Sequence, residues 1–179
     1  MGQYYYCVLL AEDGKYIRAW LDPLAHNNGM KLMEHSYIKN NFMLAVESNL
    51  GPNGAFYMTR VVWAGDYAEP EPDSENNLNT MTMDSKQKAI RAGYDTREYR
   101  YIINHSKGLY IDKKSLRMSS GVIIHPLSLL TAEGNGNGGG DYRGPNEDMC
   151  GIWARDIISV NDSVPLHFEP IVPEFSLDD

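Results

Sequence analysis

The chain has 179 residues and a formal net charge of −8, from 16 basic and 24 acidic side chains. This length favours one folded domain, and the excess of negative charge argues against nucleic acid or an anionic membrane as the main partner. No apolar stretch approaches the roughly 18 residues of a membrane span, and two cysteines without motif spacing favour reduced thiols and a cytoplasmic location.

The first third of the chain predicts a β-hairpin, a helix and a further strand. Asp13 and Gly14 form a tight-turn signal between two runs rich in aromatic and aliphatic residues. Ser36 is a candidate N-cap for a helix whose apolar residues recur at three- and four-residue spacings. The predicted elements are strands at 3–11, 15–21, 30–34 and 57–64 and a helix at 37–50.

The rest of the chain predicts an exposed acidic loop, further strands and a tail. The loop at about 69–79 combines prolines, acids and asparagines with almost no apolar residue. The later elements are a polar helix at 82–92, paired strands at 99–104 and 109–112, apolar segments at 122–124 and 127–130, and a strand at 152–160. We therefore expect a single α+β domain over 1–162, with a mostly antiparallel sheet and one or two packed helices, and a proline-punctuated tail at 163–179.

The segment 134–144 is the most unusual part of the sequence. Five glycines fall within 134–140, and glycine loses more backbone entropy on folding than any other residue, so an ordinary turn would not need this run. Successive amides in such a loop can form an anion-binding nest, which predicts a site for a small polar or nucleotide-like ligand. The predicted ligand-binding residues are Gly136, Gly138, Gly139, Gly140, Asp141, Tyr142 and Arg143.

A flexible surface loop is the alternative for this segment, because glycine and asparagine are also typical of linkers. No Gly-Lys-Ser or Gly-Lys-Thr ends the run, so it is not a P-loop, and Pro145 stands where a dinucleotide-binding motif would continue into a helix. The sequence therefore leaves the cofactor unknown.

Three polar side chains are candidate catalytic groups, namely His125, Asp66 and His35. His125 precedes the glycine-rich segment and an imidazole suits general-base chemistry. Asp66 follows a hydrophobic strand, where catalytic carboxylates often lie, and His35 stands at the predicted helix entrance. Each has a structural alternative: a hydrogen-bonded core histidine, a turn aspartate and part of a helix cap. No His or Cys spacing typical of a metal site is present, so no metal site is predicted.

Five sequence blocks together resemble a family of small uncharacterised proteins from phages, giant viruses, bacteria and protists. The blocks are MGQYY at the start, KLMEHSYI at 31–38, RVVWAGDYA at 60–68, IHPL through GNGNGGGDY at 124–142, and WARD at 153–156. The family has no established activity, so the resemblance transfers no catalytic role to any residue. Arg155 stands where many relatives have glycine, and Asn137 stands where a basic residue is common.

Three functions are compatible with these patterns. The leading hypothesis is a soluble protein that binds a small polar or nucleotide-like ligand at the glycine-rich loop. The first alternative is a virus- or phage-encoded interaction or virion-associated protein without catalysis, located in the host cytoplasm. The second is a hydrolase or transferase that uses His125 or His35 with Asp66 or Glu69. The sequence leaves both the oligomeric state and the choice between enzyme and binding protein open.

Overall fold

A tight turn joins the first two strands, and the second of them forms one edge of the sheet. β1 (Tyr5–Leu10) pairs antiparallel with β2 (Ile17–Leu21), and Gly14 in the connection has a φ of +70°. Asp13 Oδ1 accepts a hydrogen bond from the N–H of Lys15 at 2.8 Å, while the glycine takes up the left-handed backbone that the turn requires. The predicted hairpin is therefore confirmed.

The computed structural model describes residues 2–84, 90, 97–135 and 142–177. Within these ranges, four α-helices and a mostly antiparallel sheet form the expected α+β fold. The other strands are β3 (Thr59–Gly65), β4 (Tyr101–Asn104), β5 (Leu109–Asp112), β6 (Met118–Ser119), β7 (Val122–Ile123), β8 (Ala132–Glu133), β9 (Ile157–Asn161) and β10 (Glu169–Pro170). The helices are α1 (Leu32–His35), α2 (Asn41–Leu50), α3 (Leu78–Asp84) and α4 (Pro126–Leu130). Short 3₁₀ turns lie at Pro23–His26, Lys113–Ser115 and Glu147–Met149.

The main sheet has the strand order β10-β5-β4-β9-β3-β1-β2, and β8 also pairs with β3. Two pairs are parallel, β10 with β5 and β8 with β3, and the others are antiparallel. β9 pairs with the first half of β3 and β8 with its second half. Between them, Arg155 N–H donates to the carbonyl of Val61 at 2.8 Å, so Arg155 lies at the junction of three strands.

Helices cover both faces of the sheet, and the larger core lies on the face of α1, α2 and α4. Phe42, Val46 and Leu50 of α2 recur every four residues and are buried in this core. Complete burial of a side chain of this size contributes roughly 1.5–3 kcal/mol to folding. α3 packs on the opposite face, where Leu78 contacts the smaller apolar cluster.

Helix α2 starts later than predicted because Asn40, and not Ser36, is its N-cap. Asn40 Oδ1 accepts hydrogen bonds from the first turn, at 2.9 Å from Phe42 N–H. Residues 36–38 are instead paired with 123–125, through Ile38 N–H to the Ile123 carbonyl at 3.0 Å and a second bond in the reverse direction. Tertiary pairing thus removes the first residues of the predicted helix.

Three further segments differ from prediction. The predicted strand at 30–34 is largely α1, whose first turn is closed by Glu34 Oε2 accepting from the N–H of Lys31 at 2.9 Å. The strand predicted at 152–160 begins only at Ile157, because 151–155 form turns. α3 begins before the helix predicted at 82–92, and most of that range lies outside the described residues.

The loop and the tail of the predicted organisation both contact the rest of the fold. Residues 72–76 are exposed, but Asn77 and Asn79 are buried and donate to backbone carbonyls. In the tail, Phe175 and Ser176 are buried. Both cysteines are buried and unpaired. No helix in the described ranges combines the length and the hydropathy needed to cross a membrane.

Candidate functional site

His125 is completely buried at the N-terminus of α4, and its side chain pairs with Glu47 of α2. Leu127 N–H donates to His125 Nδ1 at 3.3 Å, so Nε2 carries the proton and donates to Glu47 Oε2 at 2.9 Å. Burial lowers the pKa of His125, which favours the neutral imidazole. Both ring nitrogens are therefore engaged inside the protein.

His35 lies in the core beneath the sheet and also uses both ring nitrogens. Its Nδ1 lies 2.9 Å from the Gly29 carbonyl, and its Nε2 accepts from Trp63 Nε1 at 2.9 Å. The ring also packs edge-on against Phe42 at 5.0 Å between centroids. These contacts fix the position of the Trp63 ring rather than that of a ligand.

Asp66 lies in the turn after β3 and stabilises it. Its Oδ1 accepts a hydrogen bond from the N–H of Tyr4 at 2.9 Å, and its carbonyl accepts from Asn77 Nδ2 at 3.1 Å. His125, His35 and Asp66 have different partners, and these contacts do not assemble them into one site.

The glycine-rich segment is described only at its two ends. Gly136, Gly138, Gly139, Gly140 and Asp141 lie outside the described residues. The flanking Tyr142 is buried, and its hydroxyl donates to the carbonyl of Pro145 at 2.6 Å and accepts from Ser176 N–H at 3.1 Å. Arg143 has a 74% exposed side chain and pairs with Glu147 at 2.7 Å.

A cleft of about 560 Å³ adjoins the start of this segment, and we call it the Arg155 cleft. Its walls come from residues in 68–71, 132–134 and 148–155, which are the loop after β3, the strand β8 and the turns before β9. Many of these residues are alanine, glycine or proline, so the backbone borders much of the cavity. Gly134, where the glycine-rich run begins, is one of them.

Arg155 joins three segments around this cleft. Its Nε lies 3.0 Å from Glu133 Oε2, and its Nη2 lies 2.7 Å from Glu133 Oε1. The same Nη2 is 2.7 Å from Glu71 Oε1, which makes a second ion pair. Nη1 donates to the carbonyl of Gly14 at 3.0 Å. Burial acts to lower the pKa of Arg155, but the two carboxylates outweigh it and raise the pKa, so the guanidinium stays charged.

The backbone of Arg155 is in an unfavourable conformation. Its φ of +67° lies in the left-handed region, which costs an ordinary L-residue roughly 1–2 kcal/mol. The peptide is fixed on both sides, by Arg155 N–H donating to Val61 at 2.8 Å and by Arg60 Nη1 donating to the Arg155 carbonyl at 2.9 Å. A glycine at this position would have no such cost.

Negative charge dominates the lining of the cleft. Among the described residues, four carboxylates line it, from Glu69, Glu71, Glu133 and Asp148, together with one guanidinium. The cysteine in the wall carries no additional charge, because burial first, and Glu147 and Asp148 next, raise the pKa of the Cys150 thiol to about 12.

Sequence analysis missed two carboxylates: Glu47, which pairs with His125, and Glu133, which pairs with Arg155. Glu47 stands in an amphipathic helix and Glu133 in a short strand, where a carboxylate is unremarkable. For Arg155 the sequence analysis did carry a signal, the expectation of glycine at its position, and a left-handed backbone is one reason for glycine at such a position.

Comparison with known proteins gives no match: no protein-family model, no curated protein and no solved structure is similar to this chain. The resemblance to the phage and giant-virus family remains a prediction.

Proposed function

We propose that the protein binds a small ligand, rich in hydroxyl or amino groups and free of phosphate, in the Arg155 cleft. The observation that carries this proposal is the lining of the cleft, which offers four carboxylates around a single guanidinium. Ionised carboxylates only accept hydrogen bonds, so the complementary ligand is one that donates them.

The negative charge of the lining narrows the proposed class of ligand. A phosphate group brings about two negative charges into a cleft whose lining already has a surplus of three carboxylates over cations among the described residues. Our nucleotide-like expectation is therefore narrowed to a nucleoside-like body that is neutral or cationic. The lining carbonyls and carboxylates suit ribose-type hydroxyls, which donate and accept.

The Arg155 network keeps the acceptors in place before a ligand arrives. Because the guanidinium holds Glu133 and Glu71 together, their oxygens lose little freedom when the ligand binds. Glu69 and Asp148 have no ion-pair partner among the described residues, and they are the side chains we expect to close on the ligand.

A matched ligand series tests the proposal. Adenosine, its 5′-amino derivative and its 5′-monophosphate share one body and differ in charge, and their affinities can be compared by isothermal titration calorimetry. We expect the amine to bind most tightly, adenosine next and the monophosphate at least about tenfold more weakly than adenosine. Equal or tighter binding of the monophosphate, or no binding by any nucleoside or sugar in a wider panel, would overturn the proposal.

Substitutions in the lining test whether the ligand binds in the Arg155 cleft. Glu69→Gln and Asp148→Asn should each weaken the amine several-fold, because each removes an acceptor and a negative charge from the lining. Glu75→Gln is the matched control, since it removes the same charge from the exposed loop outside the cleft. An equal effect of all three variants would mean that net charge, and not the cleft, governs binding.

A further inference from the structure

A second cavity, of about 590 Å³, lies near the buried side chain of His125, and we call it the Lys113 cavity. Its wall combines the apolar side chains of Ile38, Tyr99 and Ile123 with charged groups. This volume falls within the roughly 300–1,000 Å³ of small-molecule sites. The mixture of apolar wall and few charges is also typical of such sites.

Lys113 is the innermost charged residue of this wall, and its ammonium is held by a buried carboxylate. Lys113 Nζ lies 2.6 Å from both oxygens of Glu47, and the two side chains are only 6% and 2% exposed. His125 Nε2 donates to Oε2 of the same carboxylate. Burial acts to raise the pKa of Glu47, but the hydrogen bonds and charges of His125 and Lys113 lower it overall, so the carboxylate is ionised.

The ammonium retains a donor for the cavity. A lysine has three N–H donors, and the two Glu47 oxygens take two of them. The next carboxylate oxygen in the described structure, Glu98 Oε1, is 4.0 Å from Nζ, which is too far for a hydrogen bond. Lys113 and Glu98 both line the cavity, and no hydrogen bond joins them.

The remaining charges of the lining favour an anion. Three charged lining residues are neutralised from outside the cavity: Lys113 by Glu47, Arg100 by Asp112, and Asp162 by Arg97. The other charged lining residues in the described structure are Lys39, Lys114 and Glu98, which is two cations against one anion. This local surplus of positive charge lies on a chain whose net charge is −8.

We propose that the Lys113 cavity is a second binding site, for a small organic anion. Its carboxylate or phosphate group would accept from Lys113 Nζ and interact with Lys39 and Lys114. Its apolar body would lie against Tyr99 and the two isoleucines. This ligand class is opposite in charge to the one proposed for the Arg155 cleft, so the two proposals stand or fall separately.

Matched pairs of small aromatic probes test the site. Phenyl phosphate is compared with phenol, and benzoate with benzamide, by calorimetry and by amide chemical shifts of the labelled protein. We expect each anion to bind at least about tenfold more tightly than its neutral partner, which is the difference that one charge-assisted hydrogen bond supplies. The amide signals that move should be those of Lys113, Lys114 and Tyr99.

Variants separate anion binding from folding. Lys113→Met alone leaves a buried carboxylate without its counter-charge, so the informative variant is Glu47→Gln with Lys113→Met, which removes both charges. This double variant should fold and lose at least about tenfold in affinity for phenyl phosphate. Lys114→Met should lose less, and Lys15→Met, on the hairpin outside the cavity, should leave the affinity unchanged.

The proposal is overturned if neutral and anionic probes bind equally, if the folded double variant binds phenyl phosphate as the parent does, or if no anionic probe binds. It is also overturned if the shifted amides lie away from the cavity.

Discussion

The two cavities of this protein are nearly equal in volume, about 560 and 590 Å³, and are built in opposite ways. In the Arg155 cleft, the paired side chains are 14–29% exposed and carboxylates predominate in the lining. In the Lys113 cavity, the wall residue Lys113 is paired with Glu47 outside the lining, both side chains are almost fully buried, and lysines outnumber carboxylates among the other charged lining residues. The comparison teaches that the same pairing of a carboxylate with a cation has different consequences at different depths, because desolvation decides how much an unpaired charge costs.

The two cavities share one feature of the backbone. Each has a basic residue in the left-handed region in its wall, Arg155 with a φ of +67° and Lys39 with a φ of +70°. Residues in such conformations cluster at functional sites, where the surrounding structure holds them. Six further non-glycine residues of the described structure also have a positive φ and lie outside both linings, so this feature alone does not mark the two cavities as sites.

The largest expected effect distinguishes the two ion pairs. Glu47→Gln should lower the free energy of unfolding by about 3–5 kcal/mol, because it leaves the buried Lys113 ammonium without a hydrogen-bonded counter-charge, with only Glu98 Oε1 at 4.0 Å. Glu133→Gln should lower it by about 1 kcal/mol or less, since Arg155 keeps Glu71 and contact with water. Urea unfolding followed by the fluorescence of the buried tryptophans measures both values. Equal losses would mean that the two ion pairs do not differ in their contribution to stability.

The next effect is a dependence of stability on pH that comes from His125 and Glu47, the buried groups linked to Lys113. An unfolded histidine titrates near pH 6.5, whereas burial lowers the pKa of His125 in the folded protein. Below about pH 6.5 the unfolded state therefore binds more protons, and stability falls with falling pH by up to about 1.4 kcal/mol per pH unit. The lowered pKa of Glu47 acts in the same direction, but at pH values below about 4.3.

His125→Gln should flatten the stability profile just below about pH 6.5, where the unfolded histidine takes up its proton. His105→Gln is the comparison variant: burial also lowers the pKa of His105, but its side chain is only partly buried, so this variant should flatten the profile less. Thermal unfolding at closely spaced pH values gives the slopes. A slope that survives in His125→Gln would mean that another group is responsible.

A smaller effect tests the left-handed residues of both walls. Arg155→Ala and Arg155→Gly remove the same ion pairs, but only glycine also relieves the backbone, so the glycine variant should be more stable by about 1 kcal/mol. The pair Lys39→Ala and Lys39→Gly should show a similar difference in the Lys113 cavity. Chemical denaturation measures the free energy of unfolding of both pairs. An alanine variant as stable as its glycine counterpart would show that the left-handed backbone is not strained at that position.

The smallest effect is expected at Arg143, which sequence analysis assigned to the ligand site. Its side chain is 74% exposed and pairs with Glu147 within one turn. Arg143→Gln should therefore change the free energy of unfolding by less than about 0.5 kcal/mol. It should also leave the affinity of the Arg155 cleft for the amine unchanged in calorimetry. A clear loss of affinity would show that the ligand site extends towards the glycine-rich segment.

The parts of the fold that sequence analysis predicted are those with local causes. Asp13-Gly14 sets the hairpin turn, and the spacing of Phe42, Val46 and Leu50 sets a buried helix face, whatever the rest of the chain does. The start of α2 was mispredicted because residues 36–38 pair with a distant segment. A cap signal such as Ser36 is overridden when its backbone is hydrogen-bonded elsewhere.

The sequence by itself determined the fold class, the hairpin and the buried face and end of α2, because short-range turn chemistry and apolar periodicity specify these elements. Only the tertiary structure brought Glu47 to Lys113, 66 residues away, and Arg155 to Glu133, 22 residues away. An ion pair depends on distance and on the exclusion of water, and neither quantity exists in the chain until the sheet and its helices have packed.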